Sequence, residues 1–413
     1  MTDSTASPIV LYQGATEYFP ALVAAIDSAH RSVYVESYLI SDDAPTQTVL
    51  QALARARSRG VRVFLLLDGF GAAAQVDWVR AQLEPQGIEV QVYRPGFRWL
   101  APHTWRRLHR KLVLVDERLG FVGGINLISD QFDLKHGHLA RPRLDFAARV
   151  SAARAVAAMS WSMRKLWWRV SLRNAFQGSM RSLFDADHRP IEIRRVRRIW
   201  RRVRTHLRWR AAPSRRDASR KVRLLFRDNF RHRRSIENWY LQRIHQARRE
   251  ILLGNAYFVP TLVFRQALIS AAQRGVQVRL LLQGASDQWW TQWVTQALTD
   301  ELLAAGIEIF EYQPSFLHAK VAVIDDWITV GSSNIDPFSL MMSLESNLVA
   351  EDSRSAAHLR DRLEAALADS TPRQGISRTP GRRRGLIRLL SLTFALMALR
   401  VFLAFTGSRF RVT

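Results

Sequence analysis

The chain repeats itself, and no other feature constrains its fold as strongly. The stretch AIDSAHRSVYVESYLISDDAPTQTVLQALARARSRGVRVFLLLDG parallels IHQARREILLGNAYFVPTLVFRQALISAAQRGVQVRLLLQG. Each copy reads as the end of a helix, an apolar strand (33–40 and 251–259), an amphipathic helix, Arg-Gly-Val, and a buried strand (61–67 and 276–282). Further on, QGIEVQVYRP at 86–95 parallels AGIEIFEYQP at 305–314. Strand–helix–strand alternation of this kind predicts βαβ units with helices on both sheet faces. Glu36 and Asn255 are expected at matching strand positions, a chemical difference between the copies.

The repeat carries a duplicated chemical motif. His109, Lys111 and Asp116 stand in LHRKLVLVD, and His318, Lys320 and Asp325 stand with the same spacing in LHAKVAVID. A turn follows each, Gly123-Gly124-Ile125-Asn126 in the first copy and Gly331-Ser332-Ser333-Asn334 in the second. Residues i and i+2 of a strand share a face, so each His emerges beside its Lys. Displacement at a phosphodiester needs a nucleophile, an acid for the leaving oxygen, and cations for the non-bridging oxygens. Two imidazoles, two ammonium groups and the side chains of Asn126 and Asn334, meeting at a pseudo-twofold axis, supply these with no metal and no cofactor. Lysine usage sharpens the point. Only five of the 61 basic residues are lysines, and Lys111 and Lys320 are two of them. In so Arg-heavy a chain, a retained Lys marks a place that wants a compact ammonium.

Charge and composition set the context. There is no cysteine, which excludes a disulfide scaffold, Cys-ligated metals and a thiol nucleophile. The net charge is +25, and it is concentrated. Between Arg164 and Arg234 there are 24 basic and 5 acidic residues, and from Arg373 onward 9 basic and none acidic. IEIRRVRRIWRRVRTHLRWR at 191–210 reads as a basic amphipathic helix suited to an anionic membrane surface. LLSLTFALMALRVFLAF at 389–405 is short for a spanning helix and carries Arg400, so it reads as a membrane-associating helix or a core helix. The loop GFRWLAPHTWRRL places Trp beside Arg, as a headgroup-level surface or an ordinary solvated loop would. The first basic residue is Arg31, so no secretory leader is expected.

These motifs resemble those of the phospholipase D superfamily, and the order of elements is similar to bacterial cardiolipin synthases of the B type. The likeness runs from about residue 8 to 367 through VESYLI, HRKLVLVD, GFVGGIN, ARREILLGNAYFVP, HAKVAVID and VGSSNIDPFSL. It implies a duplicated α/β/α sandwich forming a pseudo-dimer with one active site, His109, Lys111, Asp116, His318, Lys320 and Asp325 being catalytic. One His would attack phosphorus to form a phosphohistidine, the other would protonate the departing alcohol, and Asn126, Asn334 and Ser332 would bind phosphate. Glu345 resembles the acidic residue that supports a catalytic His, with Asp145 as its counterpart.

The expected division is a first catalytic repeat at 1–160, a basic Arg/Trp-rich insert at 161–221, a second repeat at 222–370, and a basic, apolar tail at 371–413. The expected reaction is phosphatidyl transfer that makes cardiolipin from phosphatidylglycerol and a second phospholipid. Phospholipid hydrolysis, or a nucleic-acid phosphodiesterase, is the alternative. Nucleic acid fits less well, because the charge lies away from the catalytic strands. Anionic phospholipid at the cytoplasmic face of a bacterial inner membrane, with peripheral or tail-anchored attachment, is the expected partner and place.

Overall fold

A computed structural model describes residues 7–96, 106–133, 137–184, 221–228, 232–284, 299–336 and 343–374, the side chains of 175–184 excepted. Eighteen strands are described. In the first half they are β1 (Ile9–Gln13), β2 (Ser32–Ser37), β3 (Arg62–Asp68), β4 (Glu89–Tyr93), β5 (Arg107–Leu108), β6 (Lys111–Val115), β7 (Leu119–Gly123), β8 (Phe132–Asp133), β9 (Gly137–His138) and β10 (Phe146–Val150). In the second they are β11 (Val222–Arg227), β12 (Glu250–Asn255), β13 (Gln277–Gln283), β14 (Glu308–Tyr312), β15 (Lys320–Ile324), β16 (Trp327–Gly331), β17 (Ser343–Glu351) and β18 (Ser370–Pro372).

The two large sheets have one topology. The first runs β1-β10-β7-β6-β2-β3-β4 and the second β11-β17-β16-β15-β12-β13-β14, with β18 added at the edge. In each, the fifth strand pairs parallel with one neighbour (β2 with β3, β12 with β13) and antiparallel with the strand that begins with the motif lysine (β6, β15). Strands β2 and β6 are buried at every position, as layers on both faces require.

Local chemistry explains the matching connections. Helix Ala44–Ser58 starts on Asp43, whose side chain accepts from Thr46 N, with Pro45 in the first turn. Helix Leu262–Gln273 starts on Thr261, which accepts from Phe264 N. Both end at the Arg-Gly-Val signal, where Gly60 (φ 88°) and Gly275 (φ 87°) take the left-handed conformation that turns the chain into the next strand.

The cores hold the copies together. Helices Gly14–Asp27 and Ala44–Ser58 cover one face of the first sheet, and Ser235–Gln246 and Leu262–Gln273 cover one face of the second. The inner faces share a single core, in which Leu112 and Phe146 of the first sheet and Val321 and Leu348 of the second pack with helices Ala153–Phe184 and Ser353–Ala368. Trp167 of the former meets Phe64 edge-on at 5.1 Å.

Two expected boundaries move. Helix Ala153–Phe184 runs through the boundary at 160/161, and Met163, Leu166, Trp167 and Val170 beyond it are buried in the shared core. The stretch WSMRKLWWRV therefore packs into the core that the two repeats share, with Trp161 exposed. The boundary at 370/371 falls inside β18, which pairs with β14 and is followed by the Arg373–Glu311 ion pair at 2.6 Å. The basic helix expected at 191–210 and the apolar helix at 389–405 lie outside the described residues. Among the described residues, no helix is long and apolar enough to cross a membrane.

Candidate active site

The histidines stand where the two sheets meet. His109 precedes β6 and His318 precedes β15, and each backbone N–H is captured by the opposite repeat: His109 N donates to Leu344 O at 3.1 Å, and His318 N donates to Leu144 O at 2.8 Å. The short strand β5 pairs parallel with β17, and Leu144 bridges Leu317, so both crossings are repeated. A side chain also steadies the residue before each His, since Leu108 N donates to Asp68 at 2.7 Å and Leu317 N donates to Gln283.

The supporting carboxylates are exchanged between repeats. Nδ1 of His109 lies 3.0 and 3.2 Å from the oxygens of Glu345, on β17 of the second repeat. Nδ1 of His318 lies 2.6 Å from Asp145, just before β10 of the first. A carboxylate only accepts, so Nδ1 carries the proton in both rings and Nε2 is left with its lone pair. The imidazoles keep 17% and 25% of their side-chain surface exposed, whereas Glu345 is wholly buried and Asp145 nearly so.

Beneath the rings sit the lysines. Lys111 Nζ donates to His109 O at 2.8 Å, and Lys320 Nζ donates to His318 O. Burial pushes Lys111 down to about 7, with Glu345 opposing and Lys320 reinforcing the shift. Burial likewise pushes Lys320 down to about 8. Burial also lowers both histidines, His318 to about 3 with Lys320 adding to the shift. The imidazoles of the free enzyme are therefore neutral at pH 7. Lys320 acts electrostatically on His109, and Asp145 on Lys111, so the groups of both halves share one field.

The turn residues have other partners than expected. Asn126 Oδ1 accepts from Leu39 N at 3.1 Å, and Asn334 is buried at the equivalent place. Ser332, expected to bind phosphate, is fully buried and donates to Glu345 at 2.5 Å, so its hydroxyl orients the carboxylate. Its counterpart is Gly124, where a Cβ would come within 2.1 Å of an Asp145 oxygen. Asp145, one methylene shorter than Glu345, occupies the space a side chain at 124 would fill.

Asp116 and Asp325, expected to be catalytic, stand at the other end of the motif strand, about 16 Å from Lys111 and Lys320 at some 3.3 Å per residue. Asp116 accepts from the N–H groups of His30, Arg31 and Ser32 at 2.7–2.9 Å, and Asp325 accepts from those of Arg248, Arg249 and Glu250 at 2.9–3.1 Å. They lock the entry of β2 and β12 and do not face the imidazoles. Both hold positive φ, 53° and 52°.

The register corrects a second expectation. Glu36 pairs with Leu112, and Asn255 pairs with Lys320, so the counterpart of Asn255 is Ser37 and that of Glu36 is Gly254. Glu36 forms a buried two-pronged pair with Arg110 (2.8 Å for each bond), and Arg110 also donates to Ser162 at 2.7 Å. The second copy has Ala319 and Gly254 there, packed under Leu363. Sequence reasoning also missed Tyr38, whose ring meets His109 edge-on at 4.8 Å with Lys111 Nζ 5.3 Å from its centroid. Its one sequence signal was its place immediately after β2.

The family described as cardiolipin synthase, PLD-like domain, matches residues 22–143 and 240–367, one stretch for each repeat. The chain belongs to this family. Cardiolipin synthase B of Escherichia coli (strain K12) is 33% identical over 363 residues, 87% of this chain and 80% of that protein. Cardiolipin synthase B of Salmonella typhimurium (strain LT2) is 32% identical over 377 residues, 91% and 84% of the two chains. Among solved structures, phosphatidylserine synthase of Haemophilus influenzae superposes with a TM-score of 0.64 at 14% identity, covering 97% of this chain and 95% of that one, which shows the fold. The fold of this family member is the duplicated α/β/α sandwich, and it is an enzyme of the phospholipase D type.

Proposed function

We propose that the protein makes cardiolipin from phosphatidylglycerol and a second phospholipid by two displacements at phosphorus. The observation that carries the chemistry is the pair of Nδ1-anchored imidazoles above two buried lysines, each ring anchored by a carboxylate from the opposite repeat. The names of the relatives carry the substrate class.

In the first step Nε2 of His109 attacks phosphorus and the bond to the donor's glycerol oxygen breaks. His318, protonated at Nε2, gives that proton to the leaving oxygen. In the second step the acceptor hydroxyl attacks the phosphohistidine, its proton passes to His318, and the P–N bond breaks. Lys111 and Lys320 neutralise the non-bridging oxygens. The acid requires a proton that His318 lacks in the free enzyme. An arriving phosphodiester anion offsets Lys320 and raises the proton affinity of the ring. The work site is the anionic surface of a membrane, at the cytoplasmic face of the inner membrane, with peripheral or tail-anchored attachment.

The test is the purified full chain in liposomes of phosphatidylglycerol and a second phospholipid, with products read by mass spectrometry. Cardiolipin is the expected product. Phosphatidic acid alone would make the enzyme a hydrolase, in which water takes the place of the acceptor alcohol. Trapping of the phosphoryl group on a His318 peptide would reverse the two roles.

A further inference from the structure

The rim of the His109 half combines an exposed aromatic ring with a cluster of arginines. Phe70, two residues beyond β3, is 53% exposed. Its turn is held by Asp68, which accepts from Phe70 N and Gly71 N on one oxygen and from Leu108 N on the other, so Phe70 is tied to the backbone next to His109. The Arg107 guanidinium lies 5.3 Å from the Phe70 ring centroid and 3.7 Å from Asp68. Gly69 N donates to Tyr93 O at 2.8 Å, and a Cβ at Gly69 would strike Arg94 O and Pro95 Cα. The Phe70 turn and the Arg94 turn therefore pack backbone to backbone.

Arg94 takes a left-handed conformation (φ 50°), which costs about 1 kcal/mol in a residue with a Cβ. Asn174, next to Arg173, donates to Gln91 at 2.8 Å and so brings the long helix to the same edge of β4. Burial lowers Arg94, and repulsion from Arg106, Arg173 and Arg107 adds to the shift. At the site end of the second repeat, Leu262 and Val263 are 43% and 57% exposed, three and four residues beyond Val259, which is bonded to Ile335 beside Asn334.

We propose that this rim is the membrane-docking face: Phe70 enters the acyl boundary of an anionic bilayer while the half-buried Arg94, Arg106 and Arg173 engage lipid phosphates around the mouth of the site, and the buried Arg107, held by Asp68, backs the Phe70 ring. An exposed aromatic ring and gathered cations at one rim match the two parts of such a surface, its acyl edge and its negative headgroups. A nucleic-acid backbone would use the cations and leave the apolar side chains in water. The placement also serves the reaction, because a lipid phosphate drawn to Arg106 is already beside the backbone that carries His109. The inference rests on the lipid-substrate reading and locates the docking face in the described repeats, apart from the basic segments at 185–220 and 375–413.

The absence of cysteine allows a direct test. Phe70→Cys in the full chain, labelled with an environment-sensitive fluorophore, is mixed with phosphatidylcholine vesicles with and without phosphatidylglycerol. Arg118→Cys, in the exposed turn beyond β6 at the end remote from His109, is the control. The expected result is a blue shift at 70, quenched by lipid-borne spin labels, on phosphatidylglycerol vesicles only, and none at 118. Replacing Arg94 and Arg173 by Gln should weaken vesicle partition about fivefold each, equivalent to roughly 1 kcal/mol apiece. A probe at 70 that stays in water while the protein co-sediments with vesicles would overturn the proposal, as would a shift produced equally by duplex DNA. Insertion at 70 by an enzyme that forms no cardiolipin would sink the functional reading and leave the docking face standing.

Discussion

Glu345 lies 3.0 Å from Nδ1 of His109, although the two residues are 236 positions apart and belong to different repeats. Asp145 and His318 make the reciprocal contact. Each imidazole–carboxylate pair is completed across the repeats, so the unit proposed for catalysis exists only when both are folded and docked. Glu345→Gln and Asp145→Asn should each lower kcat by on the order of 10²–10⁴ with an unchanged melting profile, since each alters the tautomer and the support of one ring. Near-normal kcat in either variant would remove that carboxylate from the mechanism.

Gly124 tests the same support from the other side. Gly124→Ala places a methyl group where Asp145 now sits, with a closest approach of 2.1 Å before relaxation. The carboxylate must move off His318, so activity should fall at least tenfold, with a stability loss of about 1–3 kcal/mol. Ser332→Ala removes only the hydroxyl that steadies Glu345 and should cost less activity. Steady-state kinetics and thermal melts of the two variants, side by side, check the order.

Asp116→Asn and Asp325→Asn should act on stability and leave chemistry nearly intact. Burial pushes Asp116 up, but the N–H groups of Ser32, His30 and Arg31 outweigh it and leave the carboxyl below its ordinary value. A depressed folded value means that this contribution is present above about pH 4 and is lost as pH falls below it. In wild type, Asp116 therefore supports the fold at neutral pH. The Asp116→Asn variant should melt several degrees lower at pH 7 and lose its deficit progressively in acid. A large fall in kcat of the folded variant would return Asp116 to the chemistry.

The lysines set an alkaline limb. With Lys111 down to about 7 and Lys320 down to about 8 in the free enzyme, both lose charge as pH rises through that window. The value of kcat/KM, which reports the free enzyme, should fall above about pH 7–8. A bound phosphodiester anion stabilises the ammonium form, so the limb in kcat should lie at higher pH. A kcat/KM profile flat to about pH 10 would contradict the lowered values.

Removal of the segment after Gln374 should leave a folded protein, because β18 and the Arg373–Glu311 pair are retained. Vesicle binding should then become strongly salt-sensitive. The lost apolar stretch contributes roughly 25 cal/mol per Å² that salt does not screen, whereas cations elsewhere, at about 1 kcal/mol each, are screened. Activity on detergent-dispersed lipid should persist. Unfolding or aggregation of the truncated chain would make 389–405 a core helix.

The sequence by itself determined the duplication, the strands and helices of each copy, and the His/Lys pairs, because these are local patterns. A strand puts i and i+2 on one face, and Arg-Gly-Val ends a helix, whatever surrounds them. It also narrowed the supporting acids to Glu345 and Asp145. Tertiary structure alone decided that each acid serves the histidine of the other repeat, a pairing set by how two sheets dock across a shared core. It decided that Asp116 and Asp325 cap backbone at the far end of their strands, since five residues of extended chain carry them out of reach. It decided, too, that Glu36 faces Arg110 and that Met163, Leu166, Trp167 and Val170 are core, since strand register and the covered side of a long helix depend on neighbours distant in sequence.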